Sequence, residues 1–251
     1  MIHFVGAGPG APDLITIRGA ELLKNADVVI YAGSLVNPKL LNMCRSDCEI
    51  HNSAKLTVEQ VIAVMKRAES AGKNTIRLHT GDPCLYGAVR EQMDRLDDLN
   101  ISYDYTPGVS AFCGAASAIN AEYTLPDVSQ SVIITRMEGR TPVPEKEKLS
   151  KLAVHGTSMA LFLSAGLIKE VQMELLKGAY REDTPAAIVY KATWPDEQVI
   201  RCTVGTLSQE AEKANIYKTA IILVGDFLNS DYERSKLYDP LFSTEYRKGI
   251  S

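Results

Sequence analysis

Three turns rich in glycine and proline, each directly after a short segment predicted as a strand, constrain the fold of this chain more than any other feature. They occupy residues 6–10, 80–87 and 106–111. An apolar run of four or five residues that stops at such a turn is typical of a buried strand. In open α/β sheets, ligands bind at the carboxyl ends of the strands, where these turns would lie. The sequence therefore predicts an α/β fold with a ligand site beside the turns.

The first half of the chain alternates strand and helix signals. Strands are predicted at 2–5, 28–31, 75–79 and 102–105, and helices at 16–25, 38–43, 57–71, 87–99 and 110–119. Thr57 and Gln60 have the spacing of a capping box, and Gly72 is placed to end the helix that they open. Strands and helices that alternate with short connections predict a mostly parallel sheet covered on both faces.

The second half has a different pattern. Strands are predicted at 132–135, 159–163, 186–190, 199–204 and 220–224, with helices near 167–177 and 207–214 and a loop at 140–148. A turn containing Pro195 and Asp196 separates the third and fourth strands, which predicts a hairpin and therefore a mixed sheet. Because residues 121–130 are polar, we place the domain junction there. The predicted domains are 1–120 and 121–241, followed by a tail at 242–251.

Composition and charge exclude several classes of protein. The net charge is −4 over 251 residues, with both signs interspersed, whereas a nucleic-acid-binding protein would need a basic stripe. The sequence has no apolar run of bilayer length and no signal-peptide pattern, so we expect a cytoplasmic protein without membrane contact. The five cysteines are odd in number and scattered. We expect reduced thiols rather than disulfides or a metal site, Cys44 and Cys48 included.

The first turn departs from the dinucleotide-binding fingerprint. Its third glycine comes one position early, and Pro9 lacks the N–H group that would bind a phosphate. Tyr31 and Ala32 stand where an acidic residue would hold a ribose. These departures disfavour NAD, although a nucleotide-binding oxidoreductase stays an alternative of a different class.

Polar side chains in the other two turns each have two interpretations. Asp82 could accept hydrogen bonds from a cationic amine or from ribose hydroxyls, or it could cap its own turn. Ser110 could contact a ligand or act as the N-cap of the helix that follows. Neither choice is decided by the sequence.

In their order and spacing, the three turns together resemble the signature of the tetrapyrrole methylases. Residues 6–10 and 13–19 resemble the family's G-x-G-P-G and D-L-(L/I)-T-(L/I)-(R/K)-(G/A) sequences, 81–83 its G-D-P, and 107–111 its P-G-(V/I)-(S/T)-(S/A). Within the family, segments 31–36, 135–144 and 161–166 resemble the members that methylate C-11 of precorrin-4 or of its cobalt complex in cobalamin biosynthesis. Methylation at another carbon of a tetrapyrrole is the alternative.

The resemblance implies a homodimer whose chains have two α/β domains with S-adenosylmethionine in a cleft between them. By motif position, the first domain would contact this cofactor, or its product S-adenosylhomocysteine, through Pro9, Thr80, Gly81, Asp82, Tyr86, Ser110 and Ala111. The second domain would contribute Ser164, Ala165, Ala187, Ala220, Ile221 and Ile222, with Met137 and Tyr190 as neighbours.

Methyl transfer from a sulfonium to carbon requires little acid–base chemistry and depends mainly on geometry and the exclusion of water. No side chain is therefore assigned as a catalytic acid or base, and His3, His79 and His155 are expected to be structural or loop residues. The substrate would carry several carboxylates, which an arginine fork matches better than lysine does. The preferred substrate-binding pair is Arg136 and Arg140. Further candidates are Arg45, Arg90 and Lys39.

Overall fold

The computed structural model describes residues 1–33, 35–229 and 232–250. The chain divides into two compact units, Met1–Ala115 with Lys191–Glu197, and Ala116–Tyr190 with Gln198–Ser251. The domain junction near residue 120 and the separate tail stay predictions. None of the helices in the described residues has the length and apolar character that a membrane span requires.

The first unit is built on a parallel sheet. Its strands are β1 (Ile2–Gly6), β2 (Val28–Tyr31), β3 (Glu49–Asn52), β4 (Thr75–His79) and β5 (Tyr103–Thr106). They lie in the order β3-β2-β4-β1-β5, and the pairings are parallel. The predicted parallel sheet is confirmed, and β1 lies between the two other strands that end in glycine-containing turns.

Helices cover both faces of this sheet. The helices are α1 (Ile17–Lys24), α2 (Val58–Ser70), α3 (Arg90–Asp98) and α4 (Ala111–Ile119), with a 3₁₀ helix at Pro38–Met43. On one face, Val5 and Val29 pack with Leu23 of α1. On the other face, Phe4 packs with Met65 of α2. Burial on both faces explains why β1 and β2 are mostly apolar.

The capping box that was predicted from spacing is present. The Thr57 hydroxyl accepts a hydrogen bond from the Gln60 backbone N–H at 3.3 Å, and the Gln60 side-chain oxygen accepts one from the Thr57 N–H at 2.9 Å. Helix α2 is followed by Gly72, whose φ of +68° is the left-handed conformation that commonly ends a helix. Local signals therefore fix both ends of this helix.

Two elements of the first unit differ from the prediction. Strand β3 was not predicted, because Glu49–Asn52 is mostly polar and lies half-exposed at the edge of the sheet. Helix α3 begins at Arg90 rather than at residue 87. The φ angles of Tyr86 and Ala88 are +57° and +49°, and a right-handed helix cannot include such residues.

The second unit contains a mixed sheet, as predicted. Its strands are β6 (Val132–Arg136), β7 (Ser158–Phe162), β8 (Pro185–Tyr190), β9 (Gln198–Thr203) and β10 (Ala220–Val224). They lie in the order β6-β7-β10-β8-β9. Strands β6 and β7 are parallel, whereas β10 is antiparallel to β7 and β8. Strands β8 and β9 form the predicted antiparallel hairpin.

Three helices pack on one face of the mixed sheet. They are α5 (Leu149–Leu152), α6 (Ile168–Leu176) and α7 (Leu207–Lys213). Val171 and Leu207 from these helices are buried with Ile188 and Ile222 from the strands. The segment 140–148 is less irregular than predicted, because it includes a 3₁₀ helix at Glu145–Glu147 whose first residue forms an ion pair with Lys148 at 2.7 Å.

Candidate functional site

The three turns lie side by side at the carboxyl edge of the parallel sheet. They follow β4, β1 and β5, which are neighbours in that order. Gly8 and Gly81 form an isolated antiparallel bridge in which the Gly8 N–H donates to the Gly81 carbonyl at 3.2 Å and the Gly81 N–H to the Gly8 carbonyl at 2.8 Å. The predicted meeting of the first two turns is therefore formed by direct backbone pairing.

Glycine is required at the centre of this cluster because backbone packs against backbone. A Cβ atom on Gly108 would lie 2.3 Å from the Gly81 carbonyl oxygen and 2.8 Å from Gly6 Cα. A Cβ atom on Gly6 would lie 2.6 Å from Gly108 Cα. Gly81 also has a φ of +58°, which favours glycine. We call the backbone of these turns, centred on Gly6, Gly81 and Gly108, the three-glycine cluster.

Asp82 joins the second turn to the third. Its Oδ2 accepts a hydrogen bond from the Gly108 N–H at 2.9 Å, and its Oδ1 accepts one from the Cys84 N–H at 2.9 Å and another from the Tyr105 hydroxyl. Burial raises the pKa of Asp82, but the hydrogen bonds from Tyr105, Cys84 and Gly108 lower it more, so the pKa lies below its ordinary value. These contacts are those of a turn cap, and a contact between Asp82 and a ligand stays a prediction.

The remaining predicted residues of the first unit lie around the same edge. Pro9 and Ser110 are buried, Thr80 and Ala111 are half-buried, and Tyr86 is 44% exposed. Tyr86 belongs to the segment between β4 and α3, and its backbone is left-handed, with a φ of +57°. The structure therefore brings the seven predicted residues of the first unit to the ends of three adjacent strands.

Three side chains that hold the first turn were missed from the sequence. Buried Asn37 donates from its side-chain nitrogen to the Gly10 carbonyl at 2.8 Å. The Ala11 N–H donates to the Thr193 hydroxyl at 2.9 Å, and Trp194 Nε1 donates to the Pro9 carbonyl at 3.1 Å. The contacts of Thr193 and Trp194 join residues more than 180 positions apart in the chain, and no local signal in the sequence indicates them.

Ser164 is the most completely fixed of the predicted residues in the second unit. It is fully buried, its hydroxyl donates to the Phe162 carbonyl at 2.6 Å, and the same hydroxyl accepts from the Met137 N–H at 2.8 Å. Leu163, just before it, has a φ of +52° and is exposed. The serine thus joins the ends of the parallel strands β6 and β7.

The other predicted residues of the second unit lie on both faces of its sheet. Ala220 and Ile222 lie in the core cluster beneath the helices, and so does Ala165. Ile221 alternates with its neighbours on β10 and so lies on the opposite face, together with Ala187, which pairs with Leu223. Only the latter two side chains lie on the face opposite that core.

Comparison with known proteins identifies the family. The model of the family "Tetrapyrrole (Corrin/Porphyrin) Methylases" matches residues 1–208 of this chain. The chain belongs to the tetrapyrrole methylases. This membership confirms the resemblance read from the three turns and decides against the oxidoreductase alternative.

Three relatives of this tetrapyrrole methylase extend the likeness over almost its whole length. Cobalt-precorrin-4 C(11)-methyltransferase from Methanocaldococcus jannaschii is 52% identical, over 98% of this chain and 96% of the relative. Precorrin-4 C(11)-methyltransferase from a Sinorhizobium species is 42% identical, over 98% of each. An X-ray structure of a cobalamin biosynthetic enzyme, cobalt precorrin-4 methyltransferase, matches with a TM-score of 0.89 and 46% identity, over 91% of this chain and 95% of that one. The two-domain α/β fold is confirmed.

The candidate substrate arginines of this methylase have different environments. The Arg136 guanidinium donates to the carbonyls of its own loop, at Met137 (3.3 Å), Thr141 (3.2 Å) and Pro142 (2.7 Å). Arg140, four residues on, is exposed. Arg136 therefore shapes the loop that carries Arg140.

The further cationic candidates lie at the surface of the first unit. Arg45 is paired with Asp27 and Asp47, and Arg90 is paired with Asp94 and Asp97. Lys39 is exposed at the second position of a 3₁₀ helix. The two arginines already have carboxylate partners within the chain.

His79 is the last residue of β4, directly before the second turn of the methylase. Burial lowers the pKa of its imidazole to about 3, and the nearby charge of Arg77 acts in the same direction. Among the described residues, His79 Nε2 has no hydrogen-bond partner. Arg77 is itself buried and donates to the Gln92 side chain at 2.9 Å and to the Ile30 carbonyl at 3.2 Å. His79 is therefore neutral at physiological pH.

The cysteines are free thiols in the structure. Burial, with a smaller contribution from Cys44, raises the pKa of Cys48 to about 11, so its thiol is protonated at neutral pH. Within the described ranges, no three His, Cys, Asp or Glu side chains are grouped as a metal site requires.

Proposed function

We propose that this tetrapyrrole methylase transfers a methyl group from S-adenosylmethionine to C-11 of precorrin-4 or of its cobalt complex. The observation that carries the proposal is full-length likeness, at 42–52% identity, to two relatives named for that activity. The three-glycine cluster supports it, because backbone without side chains lies at the strand ends where α/β sheets bind ligands.

The residues of the first unit fit the cofactor that this family uses. A Cβ atom on Gly81 would lie 3.3 Å from the Ala111 nitrogen, so glycine keeps backbone accessible between the second and third turns. Tyr86, five residues after Gly81, has an exposed aromatic ring that is available to a ligand. In this proposal the cofactor is held by Pro9, Thr80, Gly81, Asp82, Tyr86, Ser110 and Ala111. The second-unit residues proposed to contact it are Ser164, Ala165, Ala187, Ala220, Ile221 and Ile222. Ala165, Ala220 and Ile222 would do so through their backbone, because their side chains lie in the core beneath the helices.

The bound sulfonium supplies an activated methyl group, and the protein contributes position rather than acid–base chemistry. Asp82 holds the second and third turns together through Gly108. Ser164 and Asn37 hold the adjoining backbone of their own units. Rigid, preorganised backbone of this kind keeps reacting atoms in a productive geometry.

For the substrate, we propose that Arg140 binds a carboxylate of the macrocycle and that Arg136 orders the loop that carries Arg140. Arg140→Ala is expected to raise KM for the tetrapyrrole about tenfold or more, the effect of losing one charge-assisted hydrogen bond. Steady-state kinetics in parallel with calorimetry of S-adenosylhomocysteine measures both quantities, and cofactor affinity should stay nearly unchanged.

Arg181→Ala is the matched control, because Arg181 is an exposed arginine of the same unit that pairs with Asp183. Its KM should equal that of the wild type. An Arg140→Ala effect that disappears with added salt would mean that the charge only steers the substrate. Unchanged KM, or joint loss of cofactor and substrate binding, would reject the role of Arg140.

The activity is tested by incubating the purified chain with labelled S-adenosylmethionine and either precorrin-4 or its cobalt complex, in separate reactions. Transfer of the label to the tetrapyrrole supports the proposal, whereas a folded preparation that transfers none refutes it.

We also propose that the methylase is a homodimer, because Tyr238, Leu241 and Tyr246 of the C-terminal segment are exposed. Light scattering on the same preparation tests this, and a monomer mass would reject it.

A further inference from the structure

The connection between β8 and β9 packs on the first turn. Residues Lys191–Glu197, which group with the first unit, contribute two hydrogen bonds to that turn. One joins the Ala11 N–H to the Thr193 hydroxyl at 2.9 Å, and the other joins Trp194 Nε1 to the Pro9 carbonyl at 3.1 Å. We call Lys191–Glu197 the clamp.

The clamp fills the space on one side of the turn. A Cβ atom on Gly10 would lie 2.1 Å from Trp194 Cδ1 and 2.9 Å from the Ala192 carbonyl oxygen. A Cβ atom on Gly114 would lie 2.7 Å from Pro9 Cβ and 3.6 Å from Ala192 Cβ. The indole therefore lies directly on the glycine backbone, which no larger residue at position 10 would permit.

The backbone of the clamp has unfavourable φ angles at two positions. Lys191 and Thr193 have φ angles of +46° and +70°. Positive φ is especially unfavourable for threonine, whose side chain is β-branched. Such conformations persist only where surrounding contacts enforce them, and they are concentrated at ligand-binding and other functional segments.

Internal contacts enforce the strained conformation. The Thr193 N–H donates to the Glu197 carboxylate at 2.5 Å, and Lys191 pairs with Asp196 at 2.5 Å. The Lys191 ammonium also lies 5.4 Å from the centre of the Trp194 ring. These contacts within the clamp hold its backbone in this conformation.

We propose that the clamp positions the first turn for S-adenosylmethionine, with Thr193 and Trp194 as positioning residues that act through Pro9, Gly10 and Ala11. The inference rests on the proposed function, which places the cofactor at this turn. Glycine backbone loses much conformational freedom when it becomes ordered. A turn that is already ordered by the clamp does not incur that loss when the ligand binds, and so binds more tightly.

The test compares Thr193→Val with Thr193→Ser. Valine keeps the branched shape and removes the hydroxyl, whereas serine keeps the hydroxyl. Calorimetry with S-adenosylhomocysteine is expected to give a Kd about three- to tenfold weaker for Thr193→Val, the effect of one neutral hydrogen bond. Thr193→Ser should stay within about twofold of the wild type, and Trp194→Phe, which removes the donor to Pro9, should weaken binding as Thr193→Val does.

A second readout separates positioning from general stability. Trp194 is the sole tryptophan of the chain, so intrinsic tryptophan fluorescence reports on this position alone. The wild-type emission should change when S-adenosylhomocysteine is added, and melting temperatures of the variants should change less than their affinities do.

The inference is overturned if the wild type binds S-adenosylhomocysteine and both Thr193→Val and Trp194→Phe bind it as tightly as the wild type does. It is also overturned if Thr193→Ser loses as much affinity as Thr193→Val does and the loss in each variant is proportional to its fall in melting temperature. A folded wild type that binds no S-adenosylhomocysteine would instead reject the proposed cofactor site, and the clamp's role with it.

Discussion

Gly108→Ala is expected to abolish detectable binding of S-adenosylhomocysteine and to lower the free energy of unfolding by about 3 kcal/mol, the upper part of the range for overpacking. The added Cβ would lie 2.3 Å from the Gly81 carbonyl oxygen and 2.8 Å from Gly6 Cα. Both atoms belong to backbone at strand ends, which cannot rotate away as a side chain can. The turns must separate, and the surface proposed to hold the cofactor is lost.

Calorimetry and thermal melting of the same preparation measure the two effects. Gly139→Ala is the control for the substitution itself, because its new Cβ would meet only the flexible Leu167 side chain, at 3.1 Å. That variant should bind S-adenosylhomocysteine and melt as the wild type does. Normal affinity in Gly108→Ala would show that the three-glycine cluster is not the cofactor site.

Asp82→Ala is expected to weaken S-adenosylhomocysteine binding by about 1.5–3 kcal/mol, the range for a hydrogen bond to a charged group. The carboxylate accepts from the Gly108 N–H, the Cys84 N–H and the Tyr105 hydroxyl. Removing it leaves two turns without their common partner, so affinity falls through loss of backbone order. Calorimetry measures the change, and Tyr105→Phe, which removes one of the three donors, should have a smaller effect. Unchanged affinity in Asp82→Ala would contradict both a contact between Asp82 and the cofactor and the need for Asp82 to order the two turns.

The same contacts predict a dependence on pH. Because the folded-state pKa of Asp82 lies below the ordinary value of 3.8, its ionised form contributes stability at neutral pH that is lost as the pH falls through the lowered pKa. An Asp82→Asn variant cannot titrate there. Its melting temperature should therefore fall less than that of the wild type on acidification below pH 3.8, and parallel curves would contradict the assignment.

Local patterns predicted most of the strands because apolar or alternating runs bounded by turn residues indicate them. Val28–Tyr31, Thr75–His79 and Ala220–Val224 have the predicted bounds. The polar edge strand Glu49–Asn52 lacks such a run. It is a strand because it pairs with its neighbour β2 at the edge of the sheet. The start of α3 depends on left-handed residues that an ordinary helix pattern does not reveal.

The candidate site was predicted only as far as motifs extend. The turns follow strands that a parallel sheet must align, so their proximity could be inferred from order alone. Asp82 and Arg136 form hydrogen bonds mainly with backbone groups of nearby turns or loops. Their roles could not be predicted because the sequence does not show which groups a side chain will contact. The clamp depends on a contact between Trp194 and Pro9, which are distant in sequence and have no shared pattern.

Locating the transferred methyl group shows whether this chain methylates C-11. Precorrin-4 and its cobalt complex are incubated separately with the purified chain and S-adenosylmethionine carrying a ¹³C-labelled methyl group, and each product is examined by NMR. We predict that the label lies on C-11 of the macrocycle from at least one of the two substrates. A label on any other carbon, or none from either substrate with folded protein, would contradict the account.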